Sequence, residues 1–81
     1  MNERVLTLYE RMGCTLCEDM VAAVQRQLVA SNVVLCRVNI DVDAALKAKF
    51  DWEVPLLFAG DIEICRHELD TKALNGWLGF A

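Results

Sequence analysis

The first forty residues show a hydrophobic pattern that predicts a strand, a helix and a second strand. Residues 5–9 are rich in β-formers and bounded by charge, and residues 33–40 alternate with a period of two, which predicts a strand in each segment. Between them, hydrophobic side chains recur at spacings of three and four residues, as in an amphipathic helix. A helix of about 14 residues between two strands forms a βαβ unit with parallel strands. The helical stripe consists of Met20, Val21, Val24 and Leu28.

Aspartates mark the starts of two further helices. Asp41 or Asp43 is placed to cap a short helix over residues 44–50, because a carboxylate there accepts hydrogen bonds from the free amides of the first turn. Asp70 precedes a final helix in the same way. The hydrophobic face of that final helix consists of Ala73, Leu74, Trp77, Leu78 and Phe80.

A hairpin is predicted between these two helices. Residues 56–59 and 62–66 are apolar segments joined by Gly60-Asp61, a dipeptide that tolerates the positive φ of a tight turn, so they are expected to pair antiparallel. The resulting order, βαβαββα, predicts an α/β fold with a four-stranded mixed sheet and helices on both faces. The chain has 81 residues and no linker or repeat, so one domain over residues 1–81 is expected.

The charge balance disfavours several classes of partner. Eight Lys and Arg residues stand against twelve Asp and Glu residues, which gives a formal net charge of −4 and a pI near 4.7. Binding to nucleic acids or anionic membranes requires a basic face that neutralises phosphates. We therefore expect neither as a partner, and we expect the protein to be a monomer.

No hydrophobic run is long enough to cross a bilayer. The longest run, residues 54–59, is far shorter than the roughly 18 residues that a span requires, and it contains Pro55. The run at residues 5–9 is too short for the core of a signal peptide and lacks a small-residue cleavage site. The sequence therefore favours the cytoplasm.

The chemistry of the chain centres on two of its four cysteines, Cys14 and Cys17. They lie where the first strand meets the first helix, so Cys14 is predicted at the helix N-terminus, with Cys17 one turn further on and within disulfide distance. Free amides and partial positive charge at a helix N-terminus stabilise a thiolate, and Arg11 adds a nearby cation. We therefore expect the pKa of Cys14 to lie below the value of about 8.5 for a free thiol.

Two other roles for this pair stay open at this level. One is a static disulfide, although closing so short a loop adds little stability and cytosolic chains rarely keep disulfides. The other is a zinc site completed by Cys65 and His67, although zinc ligands usually come as two short-spaced pairs on loops. Placement of the pair at a strand-to-helix junction favours disulfide exchange.

Two segments resemble glutaredoxin-like proteins of the thioredoxin superfamily. Residues 9–17, Tyr-Glu-Arg-Met-Gly-Cys-Thr-Leu-Cys, resemble the strand, basic residue and Cys-x-x-Cys segment of that family. Residues 54–58, Val-Pro-Leu-Leu-Phe, resemble its Val-Pro motif. The similarity covers nearly the whole chain and is greatest to the short bacterial glutaredoxin-like branch, whose substrates are undefined.

The resemblance implies roles for residues around the cysteine pair. In the family, the proline that matches Pro55 is cis and lies beside the nucleophile. The residue before it, here Val54, pairs its backbone with the bound thiol substrate. Arg11 and Thr15, close to the first cysteine in the chain, are expected to contact substrate as well.

Two departures from the family concern glutathione. Glutaredoxins commonly have Pro after the first cysteine, where this chain has Thr15, and a Gly-Gly pair near the glutathione carboxylate, where it has Cys65-Arg66. Side chains at the second site obstruct glutathione, whereas Arg66 offers a positive charge to a carboxylate. Glutathione is therefore retained as a candidate reductant, and no metal or organic cofactor is implied.

The remaining cysteines and tryptophans are expected to be structural. Cys36 shares a predicted strand face with valines and is interpreted as a small buried hydrophobe. Trp52 and Trp77 are expected to pack in the core rather than to stack on ligands. Cys65 is expected to be structural or idle, and His67 to be an exposed or capping residue.

The residues and the resemblance together predict a thiol–disulfide oxidoreductase. Cys14 attacks a disulfide in a protein or a small molecule, and Cys17 resolves the mixed disulfide. Glutathione or a flavoprotein reductase then reduces the pair again. The alternatives are a non-catalytic module that docks a partner at the edge formed by Val54 and Pro55, and a metal-binding carrier.

Overall fold

The computed structural model describes residues 4–79 and has the predicted order of elements. Phe80, predicted for the face of the last helix, lies outside these residues. The bounds of the second helix and of both hairpin strands agree with the prediction, whereas the second strand ends one residue early. The elements are β1 (Arg4–Glu10), α1 (Thr15–Leu28), β2 (Val33–Asn39), α2 (Ala44–Phe50), β3 (Leu56–Ala59), β4 (Ile62–Arg66) and α3 (Thr71–Leu78), with 3-10 turns at Ile40–Val42 and Asp51–Glu53.

The four strands form one mixed sheet in the order β2-β1-β3-β4. β1 runs parallel to β2 and antiparallel to β3, and β3 pairs antiparallel with β4. Tyr9, near the end of β1, lies opposite Leu56, at the start of β3. The segment that leaves β1 and the segment that enters β3 therefore meet at the same end of the sheet.

Each face of the sheet carries its own hydrophobic cluster, which confirms the predicted α/β arrangement with helices on both faces. On one face, Leu8 and Leu57 pack with residues of α1 and α3 that include Val24 and Leu74, all four of them fully buried. The stripe predicted for α1 is buried here in full. On the other face, the cluster consists of Cys17, Ile40, Phe50, Val54 and Leu56.

Side-chain caps fix the starts of the helices. Asp43, rather than Asp41, caps α2 by accepting hydrogen bonds from the backbone N–H groups of Ala45 and Leu46. Asp70 caps α3 by accepting from the N–H of Ala73 at 2.9 Å. Each cap satisfies amides that the helix leaves without a partner, so the start of each helix is defined by one residue.

The expectation that Cys36 is buried is wrong. Its side chain is exposed, and Val5 and Val34, which share its face of the sheet, are 48% and 44% exposed. β2 is an edge strand, and α2 is too short at seven residues to cover this part of the sheet. Alternation along the strand predicts which residues share a face, but not whether a helix covers it.

The expectation that both tryptophans are core residues holds for one of them. Trp77 packs against the hydrophobic cluster formed with α1 and α3, whereas Trp52 is 78% exposed. Trp52 lies in the 3-10 turn after α2, between Asp51 and Glu53. Among residues 4–79, no helix is both long enough and apolar enough to cross a membrane.

Candidate active site

Cys14 is the N-cap of α1, as the sequence predicts. Its backbone is extended, with φ −92° and ψ 110°, and its Sγ accepts a hydrogen bond from the backbone N–H of Cys17 at 3.1 Å. The two cysteines are joined in a disulfide, with their Cα atoms 5.2 Å apart. Because cap residues receive the free amides of the first turn, the same position stabilises a thiolate when the disulfide is reduced.

The two cysteines differ in their accessibility to a partner. Cys14 is half-buried. Cys17 is fully buried in the hydrophobic cluster that includes Ile40 and Leu56. An approaching disulfide therefore meets Cys14 first. Cys17 is placed to react only with what Cys14 has already captured.

Val54 and Pro55 lie at the same end of the sheet as the disulfide. Both side chains are buried, and Val54 belongs to the hydrophobic cluster against which Cys14 packs. The peptide bond between them is cis. The carbonyl of Pro55 accepts a hydrogen bond from the backbone N–H of His67 at 2.8 Å, which ties this segment to the end of β4.

A cleft of about 410 Å³ opens beside Cys14, and Val54 forms part of its wall. Trp52, which the sequence predicts to be a core residue, also lines it. The position of Trp52 between two acidic residues, Asp51 and Glu53, was the available sign of exposure, because no hydrophobic stripe includes it.

Arg11 also lines this cleft. Its guanidinium lies 4.9 Å from the centre of the Trp52 ring and forms ion pairs with Asp41 at 3.0 Å and with Asp51 at 3.5 Å. The prediction that Arg11 lies near Cys14 thus agrees with the cleft lining. Its charge, however, is shared between two carboxylates, so little of it is left to attract an anion.

Arg66 and Thr15 occupy different parts of the site. Thr15 is exposed at the first position of α1. Arg66 donates hydrogen bonds to Glu63 at 2.7 Å and to Glu53 at 3.0 Å. These bonds raise the pKa of Arg66 above its usual value, and the bond from Arg66 lowers the pKa of Glu63. Arg66, predicted as a carboxylate ligand, is therefore already held by two carboxylates of the chain itself.

Glu10 is a buried carboxylate, and its burial is not predicted by the sequence pattern. At the end of β1 it is 7% exposed and accepts two hydrogen bonds from Arg37, at 2.7 and 2.9 Å. Arg37 also pairs with Glu18 on α1 at 3.0 Å, and the bond to Glu10 contributes most to the raised pKa of Arg37. This network joins β1 and β2 to the first turn of α1, the turn that contains Cys17.

Cys65 and His67 do not join the pair as a metal centre. Across residues 4–79, no group of three or more His, Cys, Asp or Glu side chains is arranged to hold a metal ion. Cys65 packs against the α1–α3 cluster, and burial raises the pKa of its thiol. His67 lies 3.3 Å from Glu53 and has a positive φ of 70°.

A four-stranded mixed sheet with three helices and a Cys-x-x-Cys pair at a helix N-terminus defines a thioredoxin-like α/β protein. Within that class, the sequence model of the Glutaredoxin-like domain (DUF836) matches residues 5–79, so the chain belongs to that family. A comparison with curated proteins finds no match.

Solved structures support the same fold. A solution NMR structure of a protein from Nitrosomonas europaea is 34% identical, with a TM-score of 0.83 over 95% of this chain and 93% of that one. An X-ray structure of a protein from X. campestris is 35% identical, with a TM-score of 0.65 over 90% and 93%. The germline-specific thioredoxin Deadhead from Drosophila melanogaster is similar in fold alone, at 13% identity and a TM-score of 0.56 over 98% and 82%.

Proposed function

We propose that this protein is a thiol–disulfide oxidoreductase that uses Cys14 as nucleophile and Cys17 as resolving thiol. The observation that carries this proposal is the position of Cys14, whose Sγ accepts the Cys17 N–H at the start of α1 while its side chain faces a cleft. A sulfur in that position is stabilised as a thiolate, and only a thiolate attacks disulfides at a useful rate.

The reaction proceeds in two exchanges. The thiolate of Cys14 attacks one sulfur of the substrate disulfide, forms a mixed disulfide and releases the other sulfur as a thiolate, which takes up a proton. Cys17 loses its proton and attacks the Cys14 sulfur, which releases the second substrate thiol and leaves the pair oxidised. Two electrons pass from the protein to the substrate.

Residues at the rim of the cleft are assigned to substrate binding. Val54 presents its backbone beside the captured sulfur, with Pro55 fixing the direction of the chain, and Arg11 and Thr15 flank the approach to Cys14. A protein disulfide or a small disulfide is the substrate, and glutathione or a flavoprotein reductase restores the dithiol. The protein acts in the cytoplasm as a monomer without a metal or organic cofactor.

A binding module is the second candidate, and one observation favours it. Arg66 stands where related proteins carry glycines near glutathione, and Glu53 and Glu63 hold it in place. A protein that no reductant reaches has no turnover, so the same cleft then serves only to dock a partner at Val54 and Pro55.

Insulin reduction with dithiothreitol as the electron source separates the two candidates. The wild type is expected to accelerate reduction, and Cys14→Ser to lose at least about a hundredfold of that rate, because the attacking thiolate is gone. Cys36→Ser is the matched control, since Cys36 is an exposed cysteine outside the cleft, and it is expected to react like the wild type. Equal rates for wild type and Cys14→Ser refute the oxidoreductase and leave the binding module.

A further inference from the structure

Two exposed hydrophobic side chains flank Cys14 in its cleft. Met12 is 82% exposed and Trp52 78% exposed, and both line the cleft with the cysteine. Arg11 covers part of the Trp52 ring, so the remaining surface of the ring faces solvent. Large hydrophobic side chains that are exposed to solvent next to a reactive group are typical of surfaces that bind a hydrophobic group of a partner.

Trp52 also has a partner on one side of its ring. Its neighbour Asp51 and the more distant Asp41 both pair with Arg11, and the Arg11 guanidinium lies 4.9 Å from the ring centre, a contact that favours one orientation of the indole. Val54, two residues after Trp52, is buried. A preorganised aromatic surface loses little entropy when a partner covers it, which makes Trp52 a suitable anchor.

The ion-paired groups at the end of the sheet where the cleft opens have a net negative charge. Within the described part of the chain, the ion pairs at this end of the sheet contain more carboxylates than permanent cations. The local field therefore favours cationic visitors. The carboxylates are Glu10, Glu18, Asp41, Asp51, Glu53 and Glu63, and the cations are Arg11, Arg37, Lys47 and Arg66.

From these observations we infer that the cleft selects a protein disulfide with a hydrophobic residue next to its cysteine and basic residues around it, and that it discriminates against glutathione disulfide. The hydrophobic residue packs on Trp52 and Met12, and the basic residues face Asp41 and Asp51. Glutathione carries more carboxylates than ammonium groups, has no large hydrophobic side chain and is repelled by the same field. This inference rests on the proposed oxidoreductase function.

Four disulfides of known composition test this selection. Three are synthetic peptides with one internal disulfide, identical except that the residue before the first cysteine is Phe or Ala and the two flanking residues are Lys or Glu. We call them Phe-Lys, Phe-Glu and Ala-Lys, and the fourth compound is glutathione disulfide. Each is mixed with fully reduced protein in a single turnover, in which the Cys14–Cys17 dithiol gives two electrons and two protons to the disulfide. Acid quenching and chromatography give the rate constants.

The wild type is expected to reduce Phe-Lys about tenfold faster than Phe-Glu and about tenfold faster than Ala-Lys, with glutathione disulfide slowest. Because charge steering is screened by salt, the advantage of Phe-Lys over Phe-Glu shrinks as the ionic strength rises to about 1 M. The advantage over Ala-Lys is expected to persist, since it comes from hydrophobic contact.

Variants assign each preference to its residues. Trp52→Ala is expected to slow Phe-Lys to the rate of Ala-Lys, and the double variant Asp41→Asn with Asp51→Asn to reduce the preference for Lys over Glu at least threefold. Asp61→Asn in the β3–β4 turn, at the opposite end of the sheet, is the matched charge control and should leave both preferences unchanged.

The outcomes separate this inference from the proposed function. If the wild type reduces all four disulfides at similar rates, or prefers Phe-Glu or glutathione disulfide, the selection by charge and Trp52 is wrong and the oxidoreductase stands. If the wild type reduces none of them, both proposals fall together. These comparisons use the wild type alone, so they hold even where a variant does not fold.

Discussion

Cys14 and Cys17 lie about one turn apart at the start of α1, but their surroundings differ. Cys14 caps α1 and borders an open cleft, whereas Cys17 is fully buried against the α2 side of the sheet. The N–H of Cys17 donates to the Cys14 sulfur, so the amide that stabilises the Cys14 thiolate belongs to the residue proposed to release the substrate from it. At the scale of single residues, this difference in exposure supports the proposed roles of Cys14 as attacking thiol and Cys17 as resolving thiol.

Cys65 is a third thiol whose reactivity the structure predicts. Burial raises its pKa above that of a free cysteine, whereas Cys36 is exposed. Alkylation of the wild-type protein near pH 7 is expected to modify Cys65 at least about tenfold more slowly than Cys36, because less Cys65 is thiolate and its sulfur is less accessible. Mass spectrometry of peptides after timed quenching measures both rates. Equal rates would show that Cys65 is not shielded.

The residue scale also shows what the sequence alone could reveal. The strand-to-helix junction was enough to place Cys14 and Cys17, because capping depends on neighbours in the chain. The burial of Cys36 and Trp52 was predicted wrongly, since burial depends on which element covers a face. Trp52 acquires its place in the cleft through Arg11, a contact between segments far apart in sequence.

Among the elements, α3 depends on its cap. Asp70 accepts the N–H of Ala73 at 2.9 Å at the start of the helix, and Gly79, with a φ of 95°, is its C-cap. Asp70→Ala is expected to lower the free energy of unfolding by about 1 kcal/mol, because it leaves an amide of the first turn without its acceptor. Urea denaturation measures the difference.

The matched control for this change is Asp70→Asn. Asparagine keeps an oxygen that accepts the same hydrogen bond, so it should retain most of the stability. If Asn and Ala lower the stability equally, the cap is not what holds the start of α3.

The ion pair on β4 predicts a dependence of stability on acid. Arg66 lowers the pKa of Glu63 in the folded protein below its value in the unfolded chain, so the pair adds stability above the unfolded pKa and loses it as the pH falls through the folded pKa. Glu63→Gln is therefore expected to be less stable than the wild type at pH 7, by under about 1 kcal/mol because the pair is partly exposed. The gap should close towards pH 2.

Denaturant titrations of both proteins from neutral to acidic pH measure this gap. A gap that stays constant with pH would mean that the charge of Glu63 contributes nothing, and a gap that widens in acid would contradict the direction of its pKa shift. Added salt should also narrow the gap at neutral pH, since the pair lies at the surface.

The bounds of the helices and strands were largely predictable from the sequence, but the order of the strands in the sheet was not. The bounds of α2, β3 and β4 follow from local signals, namely the Asp43 cap and the Gly60-Asp61 turn, where Gly60 has a φ of 60°. The edge position of β2 follows from the sheet order, which no local pattern encodes. The exposure of Cys36 is the result of that position.

At the scale of the whole molecule, the topology of the sheet brings the residues of the site together. β1 ends and β3 begins at the same end of the sheet, which brings the cysteine pair and Val54-Pro55 together across about forty residues of chain. The ion pairs of Arg11 with Asp41 and of Arg37 with Glu10 also join residues that are far apart in the sequence, with separations of 30 and 27 residues. Such contacts require the assembled fold, so the sequence predicts the Cys-x-x-Cys motif but not the ion pairs around it.

The central claim is that Cys14 captures a disulfide and Cys17 releases it. The most direct measurement is mass spectrometry of the mixed disulfide after reduced Cys17→Ser is mixed with the Phe-Lys peptide disulfide. The account predicts that an adduct accumulates on Cys14 in this variant, that the wild type shows it only transiently, and that Cys14→Ser forms none. An adduct found on Cys36 or Cys65 instead, or formed equally by Cys14→Ser, would contradict it.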